Sequence, residues 1–166
     1  LASVLGLDVG MFYKRRDYST IVNGKNPIVA HEFLGDNIDG KDVIIIDDMI
    51  SSGGSMLDTA KQLKAMNAKR VYICCTFGLF TDGLDRFDEA YEKCYFDKVV
   101  TTNLTYQLPE LKSKPYYLEA DMSKFLASII DFMNHDSSMM NVYTPTEKIQ
   151  EILAKYNNRE NMYITE

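Results

Sequence analysis

Tryptophan is absent from this chain of 166 residues, and cysteine, histidine and proline number only three, two and four. Three cysteines at these positions do not make a disulfide framework. Cys74 and Cys75 are adjacent inside an apolar run, and Cys94 stands alone before an aromatic pair. Neighbouring strand residues project to opposite faces, so the pair reads as small buried hydrophobes suited to a reducing cytoplasm. No Ser/His/Asp or Cys/His pattern for nucleophilic catalysis is present. No window approaches the roughly 18 apolar residues that a membrane-crossing helix needs. The opening residues, LASVLGLDVG, lack the basic segment and long apolar run of a secretory leader. Basic charge is also scarce: 18 Lys and Arg against 24 Asp and Glu give a net charge of −6 and a pI near 5.0. That balance argues against a broad nucleic-acid surface and leaves room only for local basic sites.

What is present describes one domain with a sizeable core, at 46% hydrophobic and 25% charged residues. Ala2–Leu5 reads as a helix end stopped by Gly6, and Val9–Tyr13 as a short strand. The polar stretch Lys14–Asn26 reads as a mobile loop. Pro27–Leu34 is a second strand, Gly35–Lys41 a turn, and Val43–Ile46 a central buried strand. Helical spacing of Met56, Ala60, Leu63 and Met66 marks Ser55–Met66. Strands over Arg70–Thr76, Lys98–Thr101 and Tyr116–Glu119 alternate with helices over Asp85–Lys93 and Met122–Asn134. A last helix, Thr146–Tyr156, starts at Thr144-Pro145. Strands alternating with helices predict an α/β fold, a mainly parallel twisted sheet flanked by helices. The expected domain is 1–156, with 157–166 a frayed tail. A start without Met, already inside a helix, reads as a piece of a longer protein truncated at its N-terminus.

The chemistry concentrates in Val43–Met56, VIIIDDMISSGGSM. A buried strand ending at Asp47-Asp48 would put two acids at its carboxyl end, where open α/β sheets bind ligands. The loop after it offers hydroxyls and backbone N–H groups at a helix start, which suits a phosphate. Adjacent glycines let the backbone approach that phosphate closely. Acids for sugar hydroxyls or Mg²⁺, followed by a phosphate cradle, are what a phosphorylated pentose requires.

This loop resembles the phosphoribosyl-diphosphate (PRPP) motif of type I phosphoribosyltransferase-fold proteins. The resemblance implies that Asp47 and Asp48 face the ribose 2- and 3-hydroxyls, directly or through a metal. Ser51, Ser52, Gly53, Gly54 and Ser55 would then wrap the 5-phosphate. Ser51 stands where many members carry a third acid, often assigned a role near the base, and this disfavours base transfer. From Leu1 to about Tyr143 the order of features is similar to the C-terminal half of the ribose-phosphate pyrophosphokinase (PRPP synthetase) family. The segments that carry it are YKRRD, HEFLGDNIDGKDV, IIIDDMISSGGSM, AKRVYICCTFGLF, VVTTNL and DMSKFLASIIDFMNHDSS. The TFGLFTDG segment departs from the family's commoner THxxFSG form.

The resemblance implies transfer of diphosphate from ATP to ribose 5-phosphate, giving PRPP and AMP, with Mg²⁺ as cofactor. Lys14 and Arg16, from a basic loop directly following the first strand, would be catalytic, and Arg15 less so. Ser137 and Ser138 correspond to a segment that borders an inhibitory nucleotide or phosphate site. Homo-oligomerisation and a cytoplasmic location are implied as well. The family's N-terminal half, with much of the ATP site, is not visible, so the isolated chain is expected to be inactive alone. Two readings stay open beside this one: a nucleobase phosphoribosyltransferase that consumes PRPP, and a non-catalytic PRPP-synthetase-associated regulatory protein. Thr102-Asn103 reads either as part of the cleft or as a cap. Met122, Phe125 and Phe132 read as core.

Overall fold

In the computed structural model, residues 2–16, 28–136 and 146–157 are described; for 14–16 and 28–32 this covers the backbone alone. The chain divides into two compact units, 1–36 with 127–166, and 37–126. The two serines expected at a regulatory site, Ser137 and Ser138, lie outside the described residues, as do most of the Lys14–Asn26 stretch and the tail from 158.

The larger unit contains the parallel sheet the alternation predicts. Its strands are β3 (Asp42–Ile50), β4 (Arg70–Gly78), β5 (Lys98–Thr102) and β6 (Tyr117–Ala120), in spatial order β3-β4-β5-β6 and all parallel. Helix α2 (Gly54–Ala65) connects β3 to β4, and α3 (Asp85–Glu92) connects β4 to β5. A 3-10 helix, Pro109–Ser113, precedes β6.

One face of this sheet carries the core. Register aligns Ile45, Ile73, Val99 and Tyr117 in one row of apolar residues across four strands, with Val43 opposite Val71 two residues earlier on the same face. Val71, Ile73 and Val99 are fully buried, under Met56, Ala60 and Leu63 of α2. Beside them Phe80, Phe87, Phe96, Tyr91 and Tyr116 form a cluster of tilted and edge-on rings with centroids 5.0 to 6.2 Å apart. Such arrangements add to area burial through the ring quadrupoles.

Tyr116, 1% exposed, donates its hydroxyl to Asp88 Oδ1 at 2.8 Å, while the other Asp88 oxygen holds Lys114. Burial, then the Asp88 carboxylate, push the Tyr116 phenol above the ordinary tyrosine range. A raised pKa stabilises the fold below the unfolded value near pH 10 and loses that contribution as pH rises past it. Tyr116→Phe is therefore expected to lower stability by about 1 kcal/mol at neutral pH. The substitution should also flatten the alkaline decline, and urea unfolding at pH 7 and above pH 10 checks both effects.

Three expectations change here. β3 is the edge strand, not a central one, and Ile44 and Ile46 are 48% and 59% exposed on the face opposite the core. A continuous apolar run signals a strand but does not say whether both faces find cover. Met66, at the C-cap of α2, is 37% exposed and adds nothing to that helix's buried stripe. In α4 (Ser123–Asn134) no residue is buried: Phe125 is exposed, and Met122 just before the helix and Phe132 within it are only half-buried. Helical spacing identifies a stripe, not its partner.

The smaller unit differs more from expectation. β1 (Met11–Arg16) and β2 (Ile28–Leu34) form a separate antiparallel pair, in which Lys14 lies opposite His31 and Arg15 opposite Ala30. The Phe12 and Phe33 rings meet across it with centroids 5.1 Å apart. Lys14, Arg15 and Arg16 thus lie within β1 and not in a loop after it. Charged side chains are tolerated on a two-stranded ribbon because it need not bury both faces. Helix α1 (Ala2–Leu5) ends at Gly6, whose φ of +66° suits a helix stop, and α1 adjoins α5 (Thr146–Asn157).

Candidate functional site

β3 does not stop at the acids. It runs through Asp47 and Asp48 to Ile50, with Asp47 in register with Cys75 and Met49 with Phe77. Parallel pairing with β4 continues to Gly78 and needs only the backbone, so two carboxylates on the open edge do not end it. Both aspartates are exposed. Asp47 Oδ1 accepts the Asp48 N–H at 2.8 Å. Successive strand residues project to opposite faces, which aims the two carboxylates in different directions.

Past Ile50 the chain turns through Ser51, Ser52 and Gly53 into α2. Gly53 occupies the N-cap position with φ +79° and ψ −7°. A Cβ there would lie 2.4 Å from two ring atoms of Phe87, which is fully buried. Glycine is thus required twice, for the left-handed backbone and for room against the ring. No side chain caps the start of α2, and its first turn holds no acid. The first intrahelical bond of the turn is Leu57 N–H to Gly53 C=O at 2.9 Å. The preceding N–H groups are the orphan donors of a helix start, with the positive end of the helix dipole behind them. An anion fits there.

The turn is braced from the next crossover. Leu79 N–H donates to Ile50 C=O at 2.8 Å, and Thr81 N–H to Ser51 C=O at 3.0 Å. Between them Phe80 is buried with φ +48°, edge-on to Phe87. The TFGLFTDG segment thereby holds the Ser51 turn in shape. Sequence reasoning missed this bracing and the Phe87 buttress, since nothing in an amphipathic helix says which buried ring meets a particular glycine.

Other expected residues resolve as follows. Asn103 is structural: its Nδ2 donates to Asp121 Oδ1 at 2.8 Å and its Oδ1 accepts Met122 N–H at 2.9 Å. Thr102 Oγ1 donates to Thr76 C=O at 2.6 Å. Both therefore tie together the carboxyl ends of β4, β5 and β6, as the cap reading expects. Asp121, bonded to Ser123 and Asn103, has its carboxyl pKa lowered by those bonds, that to the Ser123 hydroxyl first. In the core beneath, Tyr117 donates to Gln107 Oε1 at 3.0 Å, so Thr101 must donate in its 2.9 Å bond to the Tyr117 oxygen. Cys75 is buried, with its thiol pKa raised by burial, whereas Cys74 is half-buried and Cys94 exposed. His135, just past α4, is exposed and sits against Asp131 of that helix.

Asp47 and Asp48 are hard oxygen donors of the kind that holds Mg²⁺ through one or two carboxylates with substrate phosphates completing the shell. Among the described residues no cluster of three or more His, Cys, Asp or Glu could form an all-protein cage. Because the two carboxylates face different ways, each would enter such a shell singly, with a phosphorylated ligand supplying further donors. Among the described residues no helix is long and apolar enough to cross a membrane.

A family model described as phosphoribosyl transferase domain matches residues 1–113. The ribose-phosphate pyrophosphokinase of Corynebacterium glutamicum is 38% identical over 109 residues, covering 66% of this chain and 31% of that protein. The protein of the same name from Thermococcus kodakarensis is 34% identical over 103 residues, covering 61% and 34%. That of Mycoplasma pneumoniae is 27% identical over 147 residues, covering 87% and 42%. Among solved structures, phosphoribosylpyrophosphate synthetase from Mycobacterium smegmatis superposes with a TM-score of 0.57 at 25% identity. That match covers 65% of this chain and 35% of the other. The chain spans about a third of the length of the first curated relatives it matches.

Proposed function

The chain belongs to the phosphoribosyl transferase domain family, and from that premise we propose that it supplies the ribose 5-phosphate half-site of a ribose-phosphate diphosphokinase. The reaction is diphosphate transfer from ATP to the anomeric hydroxyl of ribose 5-phosphate. The O1 oxygen bonds to the β-phosphorus, the bond from that phosphorus to the α,β-bridging oxygen breaks, and AMP leaves as O1 gives up its proton. The observation that carries the reading is the uncapped, acid-free start of α2 behind the left-handed Gly53, directly following two exposed aspartates.

Ser51, Ser52, Gly53, Gly54 and Ser55 hold the 5-phosphate through N–H and hydroxyl donors. Asp47 and Asp48 face the ribose hydroxyls, directly or through Mg²⁺, which when bound would neutralise phosphate charge. Lys14 and Arg16, assigned by family resemblance, bind and neutralise the transferred diphosphate. Arg offers a fixed fork and Lys a mobile point charge, and both stabilise charge as it develops. The rest of the ATP site belongs to a longer protein that forms homo-oligomers in the cytoplasm. Ser51, in place of a third acid, favours this reading over base transfer.

Paired assays decide between the two chemistries. The longer protein carrying this chain is expected to consume ATP with ribose 5-phosphate and release AMP. Consumption of PRPP with a nucleobase instead would assign base transfer, and neither activity would leave a regulatory role. Purified Leu1–Glu166 should turn over little or nothing; appreciable PRPP formation by it overturns the half-site assignment.

A further inference from the structure

The first turn of α3 does more than support the loop. One residue before the Phe87 buttress is Arg86, and its Nη1 lies 3.6 Å from where a Cβ on Gly54 would sit. The Ser52 hydroxyl oxygen lies 3.9 Å from the same point. A guanidinium and a hydroxyl thus flank the second glycine of the phosphate turn at van der Waals distance. Arg86 and Gly54 also line a groove of about 280 Å³ between α2 and α3.

Arg86 is exposed and, among the described residues, enters no ion pair. Glu89 is near enough for Arg86 to help lower its carboxyl pKa, yet that carboxylate is bonded to Lys93 one turn further on. A cation with five donors therefore stands beside a helix start that already favours anions, and no carboxylate neutralises it directly. The backbone of this turn of α3 is fixed by Phe87, which packs among Phe80 and Phe96 while lying under Gly53. Gly53 and Gly54 are thus each matched to a residue of α3: Phe87 shapes the turn, and Arg86 supplies charge at its rim.

We infer that Arg86 is a further phosphate-binding residue of this site, reaching the 5-phosphate of the sugar from the α3 side. The inference rests on the reading of the Ser51–Ser55 turn as a phosphate cradle. Phosphate oxygens that the α2 N–H groups leave facing α3 would be bonded by the guanidinium, adding a charge-assisted contact to backbone donors.

The test is titration of the full chain with ribose 5-phosphate and, separately, with inorganic phosphate, followed by calorimetry. Wild type is compared with Arg86→Gln, Arg86→Lys and Lys69→Gln. Loss of one exposed charge-assisted contact is expected to weaken both ligands roughly tenfold in Arg86→Gln. Arg86→Lys should recover part of that loss. Lys69→Gln removes an exposed cation just before β4, at the opposite end of the parallel sheet from the turn, and should bind like wild type. Equal binding by wild type and Arg86→Gln overturns the role of Arg86 while leaving the cradle standing. An equal loss in Lys69→Gln also overturns it, because general attraction by surface charge would then suffice. No binding by folded wild type contradicts the cradle itself, and the inference falls with it.

Discussion

Replacing Asp47 and Asp48 together by asparagine is expected to weaken ribose 5-phosphate binding by about 100-fold or more while leaving the fold intact. Hydrogen bonds to charged groups contribute about 1.5–3 kcal/mol each, so two lost together exceed that factor. Asparagine keeps the shape of each side chain and one acceptor oxygen, so the loss isolates the charge. The fold asks little of either residue. Both are exposed on an edge strand, and among the described residues their side chains make only the local bond from Asp48 N–H to Asp47 Oδ1. Thermal unfolding of the double variant should therefore match wild type within about 0.5 kcal/mol, as for surface substitutions generally. Calorimetric titration in the presence of Mg²⁺ measures the binding. Affinity within about threefold of wild type would remove both aspartates from the sugar site.

The second large effect is on stability. Gly53→Ala combines a left-handed backbone, which disfavours any L side chain by about 1–2 kcal/mol, with overlap against a ring that has nowhere to go. Its Cβ would stand 2.4 Å from Phe87, fully buried among Phe80 and Phe96. Overpacking of this kind costs about 1–3 kcal/mol, giving a total near 2–5 kcal/mol, much of a small domain's stability. Gly40 provides the control: its φ is +69°, similar to the +79° of Gly53, but a Cβ there meets nothing within 4 Å. Gly40→Ala should show the backbone part alone. Urea unfolding of the pair separates the terms, and equal destabilisation would mean that Phe87 yields and does not shape the turn.

How much of this was legible in the sequence follows from which forces leave a local trace. The β3–turn–α2 unit could be read because an apolar run, adjacent acids, a Ser-Gly turn and helical spacing each mark themselves within a few residues. The buried stripe Met56, Ala60 and Leu63 was legible for the same reason. Length of pairing was not. β3 continues past Asp48 because β4 offers backbone partners, which side-chain polarity does not report. Lys14–Arg16 read as a loop because charge breaks an apolar pattern, yet backbone pairing with β2 does not depend on side-chain polarity. Asn103 shows the converse: an Asn after a strand fits a cleft or a cap, and its bonds to Asp121 and Met122 become visible only when those residues are placed beside it.

Arg86 and Phe87 mark the limit for the site. Their relation to Gly53 and Gly54 arises from packing α3 against α2, across more than 30 residues of chain. Sequence shows an amphipathic helix with a polar first turn, and the buttress and the rim cation appear only when the two helices are placed side by side.

The most direct test of the central claim is a residue-resolved titration of the full chain with ribose 5-phosphate and Mg²⁺, following backbone amide resonances by NMR. Saturable shifts centred on Asp47–Ser55, weaker with ribose lacking the phosphate, are the expected result. Absence of saturable shifts in the folded protein, or shifts confined to other elements, would contradict the assignment of this turn as a sugar-phosphate site.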